Sequence, residues 1–295
     1  MSEAVIVLDG LTKHYGKHRG IVNLSFSVLQ GEIFGFIGPN GAGKSTTIRT
    51  LMGLLKATEG RASIFGLDCG RQAAEIAKHV GYLPSENCYY SGLKVREMLQ
   101  YTAELYGVDG RSRMEELAQR LSLDLSRKIG GLSLGNRKKV GIVSALLPCP
   151  ELLILDEPTS GLDPLVQQAF YDILREESRR GVTIFLSSHV LSEVQRLCDR
   201  VAILREGRLT GVQSMKSLRE KGYKKISLTA RVPIPEGFFA LPGVADYAED
   251  RTGLSASFMF SGSVAAILNR MCQLEPEDVF VEEPSLEEIF RHYYE

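Results

Sequence analysis

The run Gly38-Pro39-Asn40-Gly41-Ala42-Gly43-Lys44-Ser45-Thr46 leaves this chain little choice of local fold. Its spacing, G-x-x-x-x-G-K-[ST], calls for a strand that enters, a loop that curls and a helix that leaves. The apolar run Ile33-Phe34-Gly35-Phe36-Ile37 reads as the entering strand and Thr46–Leu55 as the departing helix. Glycine lets the loop backbone turn its N–H groups toward one centre, where a polyphosphate sits. The helix adds the positive end of its dipole. In such a loop Lys44 reaches the β- and γ-phosphates, and the Ser45 hydroxyl holds Mg²⁺. A glycine-rich turn that merely closed a βα unit would not need every one of these positions. The chain is therefore expected to bind a nucleoside triphosphate.

That loop needs a layered α/β core, and 295 residues are enough for roughly two domains. Basic and acidic residues nearly cancel, at 35 against 36, which argues against a protein that coats nucleic acid. Cys69, Cys88, Cys149, Cys198 and Cys272 are scattered and follow no metal-ligand spacing. They read as reduced thiols of a cytosolic protein. Met1-Ser2-Glu3-Ala4 lacks a basic n-region, so no secretory signal is expected. No apolar run reaches the ~18 residues of a membrane span. The richest stretch, Val140–Leu155, is interrupted by Pro148, Pro150 and Glu151.

Short apolar strands alternate with amphipathic helices through residues 1–212, which is the pattern of a layered α/β domain. Strands are expected at Val5–Leu8, Leu24–Val28, Glu32–Ile37, Ala62–Phe65, Gly81–Leu83, Leu152–Asp156, Thr183–Leu186 and Val201–Leu204. Between Lys94 and Leu147 helical spacing takes over, at Met98, Tyr101 and Leu105, then Leu117 and Leu121. This predicts a helical subdomain over about 85–150. A boundary follows Gly207-Arg208-Leu209-Thr210-Gly211, with residues 213–224 as a linker that is helical over Ser214–Lys221. Residues 225–295 read as a small α+β domain. Its expected strands are Ile226–Val232, Val244–Glu249, Leu254–Phe260 and Val279–Val281, with a helix at Val264–Leu274. A last helix opens at Ser285 with Glu288 as its capping-box partner.

A phosphate loop needs a carboxylate for the cation and a group to take a proton from water. Leu152-Leu153-Ile154-Leu155-Asp156-Glu157-Pro158 places two acids at the end of a buried strand, beside the expected phosphates. Asp156 would complete the Mg²⁺ shell and Glu157 would accept the proton.

With these motifs in order, the chain resembles the nucleotide-binding subunit of an ATP-binding-cassette transporter over roughly residues 5–210. Leu132-Ser133-Leu134-Gly135-Asn136 stands where the family commonly has Leu-Ser-Gly-Gly-Gln. The resemblance makes Ser133 and Gly135 contacts to the γ-phosphate across a dimer, at the N-terminus of a helix. Leu134 and Asn136 depart from the common pattern. Ser160-Gly161-Leu162-Asp163-Pro164 resembles the family's dimer-contact loop, and Asp163 also suits an N-cap. His189, after Ser187-Ser188, matches the switch histidine that touches the γ-phosphate, and Tyr15 matches the aromatic that stacks on adenine. A loop aromatic with no ligand is the other reading of Tyr15. Ser85 occupies the place of the usual glutamine and is followed by Glu86, so either Ser85 or Glu86 would serve the metal there.

The resemblance implies a P-loop fold of cassette type. Two such domains would pair head to tail on ATP, as a homodimer or a paralogous heterodimer. Hydrolysis in that pair would drive a separate membrane-spanning permease, with the ATPase cytoplasmic and peripheral on the inner face of the membrane. No nucleic-acid partner is expected. A soluble cassette ATPase acting on nucleic acid or ribosomes is the alternative. The single set of motifs and the lack of sustained heptads between Gly38 and Leu132 disfavour it. The tail Pro284-Ser285-Leu286-Glu287-Glu288-Ile289-Phe290 and the basic run Arg137-Lys138-Lys139 resemble subunits serving bacterial ABC-2-type exporters.

Overall fold

The computed structural model describes residues 3–16, 18–86, 88–220, 223–284 and 288. It divides into two compact units, Met1–Gln213 and Ser214–Glu295. Strands of the first are β1 (Ala4–Tyr15), β2 (His18–Leu29), β3 (Ile33–Ile37), β4 (Glu59–Ile64), β5 (Leu67–Asp68), β6 (Val80–Leu83), β7 (Leu152–Asp156), β8 (Thr183–Ser188), β9 (Arg200–Arg205) and β10 (Arg208–Ser214). Its helices are α1 (Lys44–Leu51), α2 (Ala73–Ala77), α3 (Val95–Tyr106), α4 (Arg111–Arg120), α5 (Leu134–Leu146), α6 (Pro164–Arg179) and α7 (Leu191–Leu197).

Strands β3, β7 and β8 are buried at every position. An apolar run of that kind needs cover on both faces, which a parallel sheet with crossovers supplies. They lie in a six-stranded sheet of order β10-β9-β3-β8-β7-β6, where β3 pairs in parallel with β8 and β9, and β7 with β6 and β8. A second sheet, β2-β1-β4-β5, is antiparallel. The core holds Ile6, Leu11 and Phe26 from the second sheet with Phe34 and Phe185 from the first, and Ile48 of α1. Phe26 and Phe34 stack with centroids 5.5 Å apart, and each fully buried ring contributes about 1.5–3 kcal/mol.

Several boundaries in the first unit differ from the sequence reading. The β1–β2 hairpin runs far beyond Val5–Leu8 and Leu24–Val28, because antiparallel pairing continues through polar residues such as Lys13. Helix α1 begins at Lys44 rather than Thr46 and stops at Leu51, where Gly53 turns left-handed at φ +68°. Arg208–Ser214, read in the sequence only as a boundary, is the edge strand β10.

Among the described residues between Lys94 and Leu147 there are α3, α4, α5 and a 3₁₀ turn at Ile129–Gly131, with a single bridge between Lys94 and Lys128. Ion pairs tie this helical part to the core. Arg120 of α4 donates to both carboxylate oxygens of Glu176 on α6, at 2.6 and 2.8 Å. Glu177, 5% exposed, accepts from Arg113 of α4 and from Arg180 at 2.9 Å. Glu177→Ala leaves Arg113 with Glu116 as its remaining partner, at 3.1 Å, and Arg180 largely in solvent. It should lower stability by about 1.5–3 kcal/mol, the worth of a hydrogen bond to a charged group, seen as a lower urea midpoint with an unchanged m-value.

In the second unit α8 (Met215–Glu220) precedes β11 (Lys224–Ala230), β12 (Val244–Glu249), β13 (Ser255–Phe260), α9 (Val264–Met271) and β14 (Pro276–Glu282). The antiparallel sheet has the order β12-β13-β11-β14. Ile226, Leu228, Phe258 and Phe260 of the sheet form a core with Ile267 and Met271 of α9. The Ser263 hydroxyl caps α9 by accepting from Ala266 N–H at 3.4 Å. The expected helix to Leu274 ends in a 3₁₀ turn, Cys272–Leu274, and the last strand is longer than Val279–Val281. The expected cap at Ser285 lies outside the described residues.

Candidate active site

The glycine-rich loop closes over tight contacts. Gly43 has φ +107°, and a Cβ there would lie 2.6 Å from the Ile21 side chain. A Cβ on Gly38 would lie 2.3 Å from the Leu204 carbonyl oxygen. Ala42 is buried beneath the loop, donating from N–H to Pro39 O at 3.1 Å and accepting from Gly207 N–H at 2.9 Å. Lys44, 6% exposed, curls back onto its own loop. Its ammonium donates to the carbonyls of Gly38 at 2.7 Å and Pro39 at 3.3 Å, and pairs with Glu157 at 3.2 Å.

Strands β7 and β8 deliver the acids and the histidine to the same edge. Asp156 ends β7 and is 1% exposed. Its Oδ1 accepts the Ser187 hydroxyl at 2.6 Å, whereas Oδ2 is buried with no hydrogen-bond partner. A buried, unpaired carboxylate oxygen is costly, and a cation there removes that cost. The donor set fits a hard cation such as Mg²⁺, with Ser45, next to Lys44 at the start of α1, as a further oxygen donor. Glu157 follows at φ +51°, a left-handed conformation rare for a residue with a side chain. Its carboxylate lies between Lys44 and His189, whose Nδ1 is 2.6 Å from Oε2.

Lys44, Ser45, Glu157 and His189 line a groove of about 800 Å³. Asn40, Gly41, Gly43 and Thr46 form its loop wall, with Tyr15 and Ser85 at other points of the rim. Tyr15 is 44% exposed, and its hydroxyl is 3.4 Å from the Thr46 hydroxyl. Ser133, Gly135 and Asp163 are not among the lining residues. Ser133 is the N-cap of α5, accepting from Asn136 N–H at 3.3 Å. Asp163 is the N-cap of α6, accepting from Val166 N–H at 3.0 Å. Gly135 meets the Gly161 carbonyl so closely that a Cβ would lie 2.5 Å from it. Leu134, between the two, is 71% exposed and does line the groove.

Lys138 and Ser187 stand in runs noted in the sequence, Arg137-Lys138-Lys139 and Ser187-Ser188-His189, but the sequence assigned neither of them a role at this site. Lys138 lies one turn into α5, is 4% exposed and donates to the Ser85 carbonyl at 3.0 Å. Burial pushes its ammonium below the ordinary lysine range, against the opposing pull of Asp156 and Glu157. It tethers the loop that lacks the usual glutamine to the helix that Ser133 caps. The only signal available was a basic residue at a helical position that turns inward.

The ABC transporter family model matches residues 21–160. The bacitracin transport ATP-binding protein BcrA of Bacillus licheniformis is 39% identical over 226 residues, covering 75% of this chain and 73% of that protein. The probable multidrug ABC transporter ATP-binding protein YbhF of Escherichia coli is 34% identical over 212 residues, covering 70% of this chain and 36% of that protein. A solved structure of the ATP binding subunit of an ABC transporter superposes with a TM-score of 0.69 at 32% identity, covering 74% of this chain and 92% of the other. The chain that carries this phosphate loop and these paired acids therefore belongs to the ATP-binding, ATP-hydrolysing proteins of ABC transporters.

Proposed function

We propose that this chain powers an exporter as a cytoplasmic subunit, hydrolysing MgATP in a head-to-tail pair docked on a separate membrane-spanning permease. The observation that carries the reading is the meeting of Lys44, Glu157 and His189 at one sheet edge, beside the unpaired Oδ2 of Asp156. Lys44 would exchange its loop carbonyls for the β- and γ-phosphates, which releases Glu157 for water. Ser45 and Asp156 would hold Mg²⁺, with Ser85 or Glu86 reaching it from the facing loop. When bound, the ion draws negative charge from the phosphate oxygens. Glu157 accepts the proton of the attacking water, and His189 orients Glu157 and the γ-phosphate. Tyr15 stacks on the adenine; such stacking is worth about 1–3 kcal/mol per base elsewhere.

Ser133 is exposed at the start of α5, next to the exposed Leu134, which supports its use with Gly135 by a second subunit. Asp163 would join that contact through the loop it caps. No helix among the described residues is long and apolar enough to cross a membrane. The direction is taken from the relatives: one is a bacitracin transport protein and another a probable multidrug protein. The test is co-purification of the tagged chain with a membrane protein carrying apolar spans of about 20 residues. ATP-dependent accumulation in the lumen of inverted vesicles, whose cytoplasmic face points outward, is the expected result. Purification without such a partner, or ATP-driven release from the lumen, would count against it.

A further inference from the structure

Asp156 and Ser187 are register partners on the parallel neighbours β7 and β8, at the edge where the acids emerge. Ser187 is fully buried, so its hydroxyl has only protein groups to satisfy it. It donates to Asp156 Oδ1 at 2.6 Å and accepts from Glu157 N–H at 3.1 Å. One hydroxyl therefore holds the side chain of one acid and the backbone of the next. The first bond fixes the Asp156 carboxylate and leaves Oδ2 as its unengaged oxygen. The second gives the Glu157 N–H an acceptor in the left-handed turn at φ +51°, where the strained residue has few alternatives.

We infer that Ser187 is a positioning residue that orients both acids, presenting Asp156 Oδ2 to the cation and holding the turn that aims Glu157 at Lys44 and His189. The inference rests on the metal and base roles proposed for Asp156 and Glu157. Alanine would free the Asp156 carboxylate to rotate and leave the Glu157 N–H buried without an acceptor. Groups that orient a metal ligand typically account for about 10- to 100-fold in metal affinity or activity. A hydroxyl that only filled space would change stability and leave metal dependence alone.

The experiment measures binding of a fluorescent ATP analogue to the full chain, with Mg²⁺ and with EDTA, alongside kcat. For Ser187→Ala the expected result is EDTA affinity within about twofold of the parent, a Mg²⁺-dependent gain reduced about tenfold, and kcat reduced about 10- to 100-fold. Ser187→Thr retains the hydroxyl and should restore both quantities to within about threefold. Ser187→Cys nearly keeps the size of the side chain with a far weaker donor, and should behave as alanine does if the alanine variant fails to fold. Unchanged Mg²⁺ dependence and kcat in folded Ser187→Ala or Ser187→Cys would overturn the inference. So would an equal loss of binding with Mg²⁺ and with EDTA, which marks a packing role. A parent protein whose nucleotide affinity ignores Mg²⁺ would instead overturn the reading of Asp156 on which the inference stands.

Discussion

Glu157→Gln is expected to lower ATP turnover by about 10²-fold or more while leaving ATP bound. Glutamine keeps the shape of the side chain, so the groove between Lys44 and His189 stays filled. What disappears is the ability to take a proton from water at neutral pH. Lys44 loses an ion partner at 3.2 Å and keeps the carbonyls of Gly38 and Pro39, so the loop retains its internal hydrogen bonds. Because the nucleotide then persists, the proposed pair should also persist. Light scattering with ATP should give twice the mass of the subunit for the variant, and a shorter-lived dimer for the parent. Phosphate release at the parental rate would remove Glu157 from the mechanism.

Lys44→Ala should act one step earlier. Charge-assisted hydrogen bonds are worth about 1.5–3 kcal/mol each, so losing the ammonium should weaken ATP binding about 10- to 100-fold. Turnover falls with it, because the γ-phosphate is no longer held against the acids. Glu157, 18% exposed, would be left with His189 as its remaining partner. The two variants separate cleanly in a nucleotide-binding titration: Glu157→Gln binds and does not turn over, whereas Lys44→Ala does not bind at the same concentration. An affinity within about twofold of the parent would show that the backbone N–H groups of the loop suffice without the lysine.

How much of this was legible depends on the kind of element. Ile33–Ile37 and Leu152–Asp156 were visible because strands buried on both faces appear as unbroken apolar runs. The outer half of the β1–β2 hairpin was not, since antiparallel strands at a surface carry Lys13 and similar residues without penalty. Strand β10 was hidden for a related reason: its seven residues are half-buried or exposed and alternate weakly. Among the site residues, Lys44, Asp156, Glu157 and His189 stand in motifs with fixed local spacing. Lys138 and Ser187 lie inside such runs too, but their roles come from contacts that join positions far apart in the chain.

Taken alone, the amino-acid order determined that a phosphate loop would form after β3, that two acids would end β7, and that a histidine would follow β8. Those are local facts, set by glycine, by apolar runs and by residue spacing. Only the tertiary structure decided that Asp156 and Ser187 are neighbours in parallel register, and that Lys44 pairs with Glu157 across the sheet edge. It also decided that Lys138 of α5 reaches the Ser85 carbonyl. The reason is physical: distances between residues on different strands depend on sheet order and register, which arise from burial of the whole core and not from any one segment.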